Sequence, residues 1–178
     1  MAQVLRVIGG KWRSTHFTFA KVKAIRPTPE RLRETLFNWL QFEIIQAKCL
    51  DLFAGSGALG IEALSRGADF VDFVDNNHKA VAKINQNLSL LKSDNFKTYN
   101  YSALRFIKET TQKYDLIFLD PPFDSKLLHN SIDLIISHGI LADSGLLYLE
   151  TNQQQIPAPL SIVKQSKSGQ SHGFLAKL

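Results

Sequence analysis

The chain has a single cysteine, Cys49, among 178 residues. No intramolecular disulfide can form, and a reducing, cytoplasmic setting is expected. No apolar run approaches the ~20 residues needed to span a bilayer. The start, Met1-Ala2-Gln3-Val4-Leu5-Arg6, lacks the apolar stretch of a signal peptide. No membrane partner is therefore expected. Histidine and cysteine nowhere fall at metal-ligand spacing, so no metal site is expected either. Internal repeats and low-complexity segments are also missing. With 44% hydrophobic residues the chain can bury a proper core, and its length points to one domain with a small extension.

Acidic residues are scarce at both ends. Residues 1–40 carry eight basic side chains (Arg6, Lys11, Arg13, Lys21, Lys23, Arg26, Arg31 and Arg33) against Glu30 and Glu34, a net +6. Residues 41–150 are −4, and residues 151–178 are +3 through Lys164, Lys167 and Lys177. A basic arm on a mildly acidic body suits a polyanion. A solvated charged surface is the competing reading. Trp12, Phe17 and Phe19 interleave the charges and favour nucleic acid. Arg6, Lys11, Arg13, Arg26, Arg31 and Arg33 are the candidate RNA-binding residues.

The most informative motif present is Asp120-Pro121-Pro122-Phe123, at the end of the apolar run Leu116-Ile117-Phe118-Leu119. Two prolines give a stiff, extended exit from a buried strand and leave carbonyls with no helix to enter. A carboxylate, backbone carbonyls and a flat ring can together hold an exocyclic amine and stack on its base. A strand ending in a plain proline turn is the bland alternative.

A second motif lies upstream. Cys49 to Phe53 reads as a strand, and Gly55, Gly57 and Gly60 then turn the chain into a helix that stops at Gly67. Glycine lets backbone approach a ligand, and helix N–H groups face it. The spacing also fits the dinucleotide fingerprint, which is weak alone. Asp51 lies four residues before Gly55, where a carboxylate would repel a pyrophosphate but attract the sulfonium and ammonium of S-adenosylmethionine. Asp75 closes the next strand, 18 residues after Gly57, and can accept both hydrogen bonds of a ribose diol. Both ligands carry that ribose. Asp75 can also serve as the N-cap of the helix that follows.

The first 25 residues read as strand Gln3 to Ile8, a Gly9-Gly10 turn and a second strand from Lys11 to Phe19. Thr28 is expected to N-cap a helix with Pro29 at its first position. That helix presents Leu32, Leu36, Trp39 and Leu40 on one face and Arg31, Arg33 and Glu34 on the other, so its arginines are expected outward. Strands are then predicted at 47–53, 70–75, 96–101, 115–120 and 145–150, with helices at 57–66, 77–91, 102–112 and 125–137. This alternation implies a parallel sheet covered on both faces, with ligands beyond its carboxyl ends. Asp51, Asp75, Ser102 and Asp120 all fall at such ends. Ile162-Val163 and Phe174-Leu175 read as an antiparallel hairpin, since no helix separates them.

Four stretches, Arg6 to Arg13, Arg26 to Leu40, Asp51 to Gly67 and Asp120 to Phe123, resemble the bacterial 16S ribosomal RNA guanine-N2 methyltransferases of the RsmD family. The last two recur across class I methyltransferases; the first two are the specific ones. The resemblance implies an α/β, Rossmann-like class I methyltransferase fold. Its seven-stranded, mostly parallel sheet has an antiparallel last strand, in residues 41–178, behind a β-hairpin and helix extension in residues 1–40. It implies S-adenosylmethionine as cofactor, held by Asp51, Phe53, Ala54, Gly55, Ser56, Gly57, Asp75, Asn76, Ser102 and Ala103. It implies Asp120, Pro121, Pro122 and Phe123 as the catalytic set. The implied partner is 16S ribosomal RNA within a small-subunit assembly intermediate, met by a monomer. Many class I relatives hold the adenine amine with an acid after the third strand, whereas this chain has Tyr101-Ser102-Ala103-Leu104 there. N6-adenine methylation of RNA or DNA poses the same chemical problem to Asp-Pro-Pro-Phe and stays open, as does a non-catalytic RNA-binding or assembly protein with a relict pocket. A dehydrogenase ranks last.

Overall fold

The computed structural model describes residues 3–20, 27–122 and 126–178. The roles expected of Arg26 and Phe123 fall outside those residues. Strands β1 (Gln3–Arg6) and β2 (His16–Phe19) form an antiparallel hairpin, and helix α1 (Glu30–Trp39) follows. The body then alternates: β3 (Lys48–Asp51), α2 (Ala58–Ser65), β4 (Phe70–Val74), α3 (His78–Leu90), β5 (Phe96–Tyr99), α4 (Ala103–Glu109), β6 (Tyr114–Leu119) and α5 (Leu127–His138). It closes with β7 (Leu141–Thr151), β8 (Ser161–Ser168) and β9 (Ser171–Lys177).

The main sheet has seven strands in the order β5-β4-β3-β6-β7-β9-β8. The first five in that order run parallel, and β9 lies antiparallel between β7 and β8. This is the Rossmann-like class I methyltransferase architecture. The strand order reverses between β3 and β6, and their carboxyl ends open a crevice there, the place where α/β sheets bind ligands. Asp51 ends β3, and Asp120 directly follows β6.

Helix α2 reaches the sheet closely because position 60 has no side chain. A Cβ on Gly60 would lie 2.2 Å from the Phe73 ring. Buried side chains of the extension, among them Val7, Phe17, Leu36, Phe37 and Leu40, join the same core cluster as Cys49, Phe118 and Tyr148 of the sheet. The hairpin and α1 are therefore packed onto the body rather than around a core of their own.

The extension departs from its sequence pattern in three places. Gly10–Trp12 form one 3-10 turn, so no strand begins at Lys11. A Cβ on Gly10, at φ +76°, would stand 1.9 Å from the Ser65 carbonyl oxygen, which explains why the chain can press onto α2 there. Thr28 does not cap α1: Pro29 occupies the cap position without a side-chain bond, and the Thr28 hydroxyl donates to Asp120 Oδ2 at 3.4 Å. Arg33 does not face outward. It is 1% exposed, and its Nη1 donates to the Arg6 carbonyl at 3.2 Å. Burial lowers its pKa, opposed by Glu62 and Glu30. It cannot touch RNA, whereas Arg6, Lys11, Arg13 and Arg31 are exposed. Among the described residues no helix is long and apolar enough to cross a membrane, and no cluster of ligating side chains is placed to hold a metal ion.

Candidate active site

Three carboxyl groups converge at the carboxyl ends of neighbouring strands. Asp51 is 3% exposed, and its Oδ2 accepts the Gly60 N–H at 3.0 Å. Burial pushes its pKa up to about 7, the Gly60 bond opposes this, and Asp75 adds to it. Asp120 is half-buried; burial raises its pKa well above the carboxylate range, with Glu150 and Asp51 adding to the rise and the Thr28 hydroxyl opposing it. Glu150 lies beside Asp120, because Leu119 pairs with Leu149 in the parallel ladder. Burial raises Glu150 too, against the hydroxyls of Thr28 and Ser171. Among the described residues no ion pair neutralises the group.

The glycine loop spans β3 and α2. Its Gly55 N–H donates to Asp75 Oδ2 at 2.7 Å, while Asp75 Oδ1 accepts from Asn77 N–H at the same distance. Asp75 therefore braces the loop and stands beside it. The helix cap falls to Asn77, whose side chain accepts from Lys79 and Ala80. Asn76 is exposed next to it, and Asn100 donates to the Asp75 carbonyl at 3.0 Å. The loop folds back on itself through Gly57 N–H to the Ala54 carbonyl at 2.6 Å, and Ala54 N–H reaches the Val74 carbonyl. Phe53 is half-buried, whereas Ser56 is buried and accepts from Ala58 N–H. Ser102 is exposed and N-caps α4 through Arg105 N–H, with Ala103 buried behind it.

The fit to S-adenosylmethionine rests on this donor set. A buried carboxylate held near neutrality gains from a cation, and a second carboxylate at the next strand end suits a diol. Glycine backbone runs between them. Asp120 and Pro121 sit on the opposite lip of the same crevice, where a cleft is lined by Pro121, Pro122, Leu128, His129, Glu150, Thr151 and Gln153. The crevice can thus present a cationic donor on one side and a planar acceptor on the other.

Two residues of this site, Glu150 and Thr28, are not among those expected in it, with Thr28 expected only as a helix cap. Glu150 closes the apolar run Leu146-Leu147-Tyr148-Leu149 as Asp120 closes Leu116 to Leu119, so the same signal, an acid ending a buried strand, marks it. Thr28 carries no such signal; only the chain's return over the sheet places it.

A family model described as Conserved hypothetical protein 95 matches residues 5–177. Ribosomal RNA small subunit methyltransferase D of Escherichia coli (strain K12) is 39% identical over 170 residues, covering 93% of this chain and 86% of that protein. The protein of the same name from Haemophilus influenzae is 37% identical over 172 residues, covering 93% and 89%. Among solved structures, a putative methyltransferase, yhhF, from Escherichia coli superposes with a TM-score of 0.88 at 39% identity, covering 98% of this chain and 97% of that one. A putative methyltransferase, SMU.776, complexed with SAH shares the fold alone, at TM-score 0.72 and 16% identity, covering 93% and 54%.

Proposed function

The chain belongs to the Conserved hypothetical protein 95 family, the RsmD family that its sequence resembles, and from that premise we propose that it transfers a methyl group from S-adenosylmethionine to the exocyclic N2 amine of a guanine in 16S ribosomal RNA. The observation that carries the reading is the facing of Asp51 and the glycine loop by Asp120 and Pro121 across the sheet's switch point. The relatives' shared name supports small-subunit ribosomal RNA as the substrate. The finer proposals are guanine N2 as the acceptor atom, an assembly intermediate as the form of the RNA, a monomeric enzyme and a cytoplasmic setting.

When bound, the donor supplies an electrophilic methyl group on a sulfonium. Asp51 favours that cation, and Asp75 takes the ribose diol while the glycine loop gives backbone contact. A guanine amine is a poor nucleophile because its lone pair is delocalised into the ring. Asp120 accepts a hydrogen bond from one amine N–H and the Pro121 carbonyl accepts one from the other, which favours a pyramidal nitrogen with its lone pair directed outward. Positioning and electrostatics supply most of the acceleration in such a step. The raised pKa of Asp120 suits it to take up the proton that the methylated nitrogen sheds. Phe123 stacks on the base once it leaves its helix or loop. Exposed arginines and lysines of the extension hold flanking phosphates.

Incubating the protein with donor and small subunits or their RNA, then digesting to nucleosides for mass analysis, tests the reading. N2-methylguanosine is expected. N6-methyladenosine would replace the acceptor, and the absence of both donor binding and methylation would leave an RNA-binding protein.

A further inference from the structure

Glu150 is the one carboxyl group of the site whose presence the transfer chemistry above does not require. It is 3% exposed, and its Oε2 has no hydrogen-bond partner among the described residues. A buried carboxylate oxygen without a donor destabilises the fold, and an apolar side chain of similar size would pack there at less cost. The hydroxyls of Thr28 and Ser171 offset part of that burial, while Asp120 beside it carries charge of the same sign when ionised. Yet Glu150 lines the cleft with Pro121 and Pro122, on the strand end adjoining the amine-orienting Asp120. An acceptor left unpaired on a residue that lines this cleft calls for a donor from the base that the cleft receives.

Guanine provides one. Its Watson–Crick edge carries the N2 amine and, next to it, the N1–H. Adenine presents its amine next to a bare N1, which is an acceptor. Neighbouring parallel strands run ~4.8 Å apart, so two carboxyl side chains on adjacent strand ends can address contiguous donors on one base edge. Flipped bases are read along that edge, and a site with a buried group committed to one partner rejects a base lacking it.

We propose that Glu150 accepts the N1–H of the target guanine while Asp120 and Pro121 hold its amine, which makes Glu150 the residue that selects guanine over adenine. The proposal rests on the guanine-N2 reading above and names how that acceptor is chosen.

2-Aminopurine separates the two, because it keeps the 2-amino group but has no proton at N1. Target RNA carrying guanine or 2-aminopurine at the methylated position is compared by kcat/KM. The wild type is expected to prefer guanine by roughly 100-fold or more, and Glu150→Gln to cut that ratio by about tenfold or more, because the glutamine amide can donate to a bare N1. Donor affinity and melting temperature of the variant serve as controls for packing. An unchanged ratio in Glu150→Gln overturns the proposal, as does a wild type that uses both bases equally. Should that variant not fold, the wild-type ratio and that of Glu150→Asp decide the same question. Methylation found on adenine N6 would overturn both the acceptor assignment and the role of Glu150. N2-methylguanosine formed with an indifferent base ratio would overturn the role of Glu150 alone.

Discussion

Among the described residues Asp51 has no ion-pair partner, and burial holds its carboxyl near pKa 7 rather than the ordinary 3.8. The unfolded chain ionises Asp51 well before the fold does. Ionisation therefore erodes the stability of the ligand-free protein as pH rises from about 4 to about 7, where the native state binds the extra proton. A cationic donor reverses the preference and favours the carboxylate. Donor affinity is expected to rise with pH up to about 7, by at most roughly tenfold per unit, and then to level off. Calorimetry between pH 5.5 and 8.5 checks this, and Asp51→Asn should flatten the curve. Asp120→Ala should lower single-turnover transfer by roughly a thousandfold or more while donor affinity changes only a few-fold, since its contact belongs to the transition state. Rapid-quench kinetics with a parallel donor titration separates the two effects. The placements of Asp75 and Asp120 are legible in the sequence because each ends an apolar run just before asparagine or proline, and that of Asp51 because an acid interrupts an apolar strand four residues before Gly55. Glu150 ends such a run without that punctuation. The burial of Arg33 is not legible, because the cover comes from residues distant in sequence, with the carbonyl of Arg6 as its partner.

The joint between hairpin and α2 centres on one side chain. Glu62 is 1% exposed; its Oε2 accepts Ile8 N–H and its Oε1 accepts Gly9 N–H, both at 2.8 Å. Arg66 Nε donates to Oε1 at 2.7 Å. Ser65 adds a bond to the Gly9 carbonyl at 2.5 Å and accepts Trp12 N–H at 3.0 Å. Removing the Glu62 carboxylate leaves two backbone donors and a guanidinium without their acceptor. Glu62→Ala should cost about 1–3 kcal/mol of stability or more, the range for unsatisfied buried groups, with charged ones above it. Denaturant unfolding gives the magnitude, and amide exchange at Ile8 and Gly9 should accelerate beyond that of β3 or β6. This joint explains why the extension is the least legible part of the fold. The strands and helices of the body announce themselves through periodic apolar residues, and their observed limits fall within a few residues of expectation. The exception is β7, which begins at Leu141 through an irregular step against Tyr114. The extension answers to α2 instead of to its own pattern, so the strand expected from Lys11 gives way to a turn and Thr28 leaves its helix for Asp120.

Seen whole, the molecule is a dipole of function: a basic extension joined to an acidic crevice. The structure narrows which charges are free for RNA. Arg33 is buried, and Arg6 Nη2 lies 2.6 Å from Glu30 Oε1 in an exposed pair. Lys11, Arg13 and Arg31 remain the better test. Replacing all three with glutamine should weaken RNA binding and make its log–log salt dependence shallower by roughly 0.7 to 0.9 for each phosphate no longer neutralised. Donor affinity should hold, because the glycine loop and Asp75 lie in the sheet. Filter binding across a salt series reads the slope, and an unchanged slope would move RNA binding to the crevice loops and the Lys164–Lys167 strand. At the far edge of the sheet, β8 slips register against β9 between Ile162 and Lys164, leaving Val163 as an extra residue. An outer strand with a kink and two lysines is a poor template for a second copy to extend. The extra residue at Val163 is thus expected to keep the sheet from extending into a second copy. Deleting it would straighten the edge, and the expected outcome is growth in light scattering with concentration, in a molecule whose methyl transfer is otherwise intact.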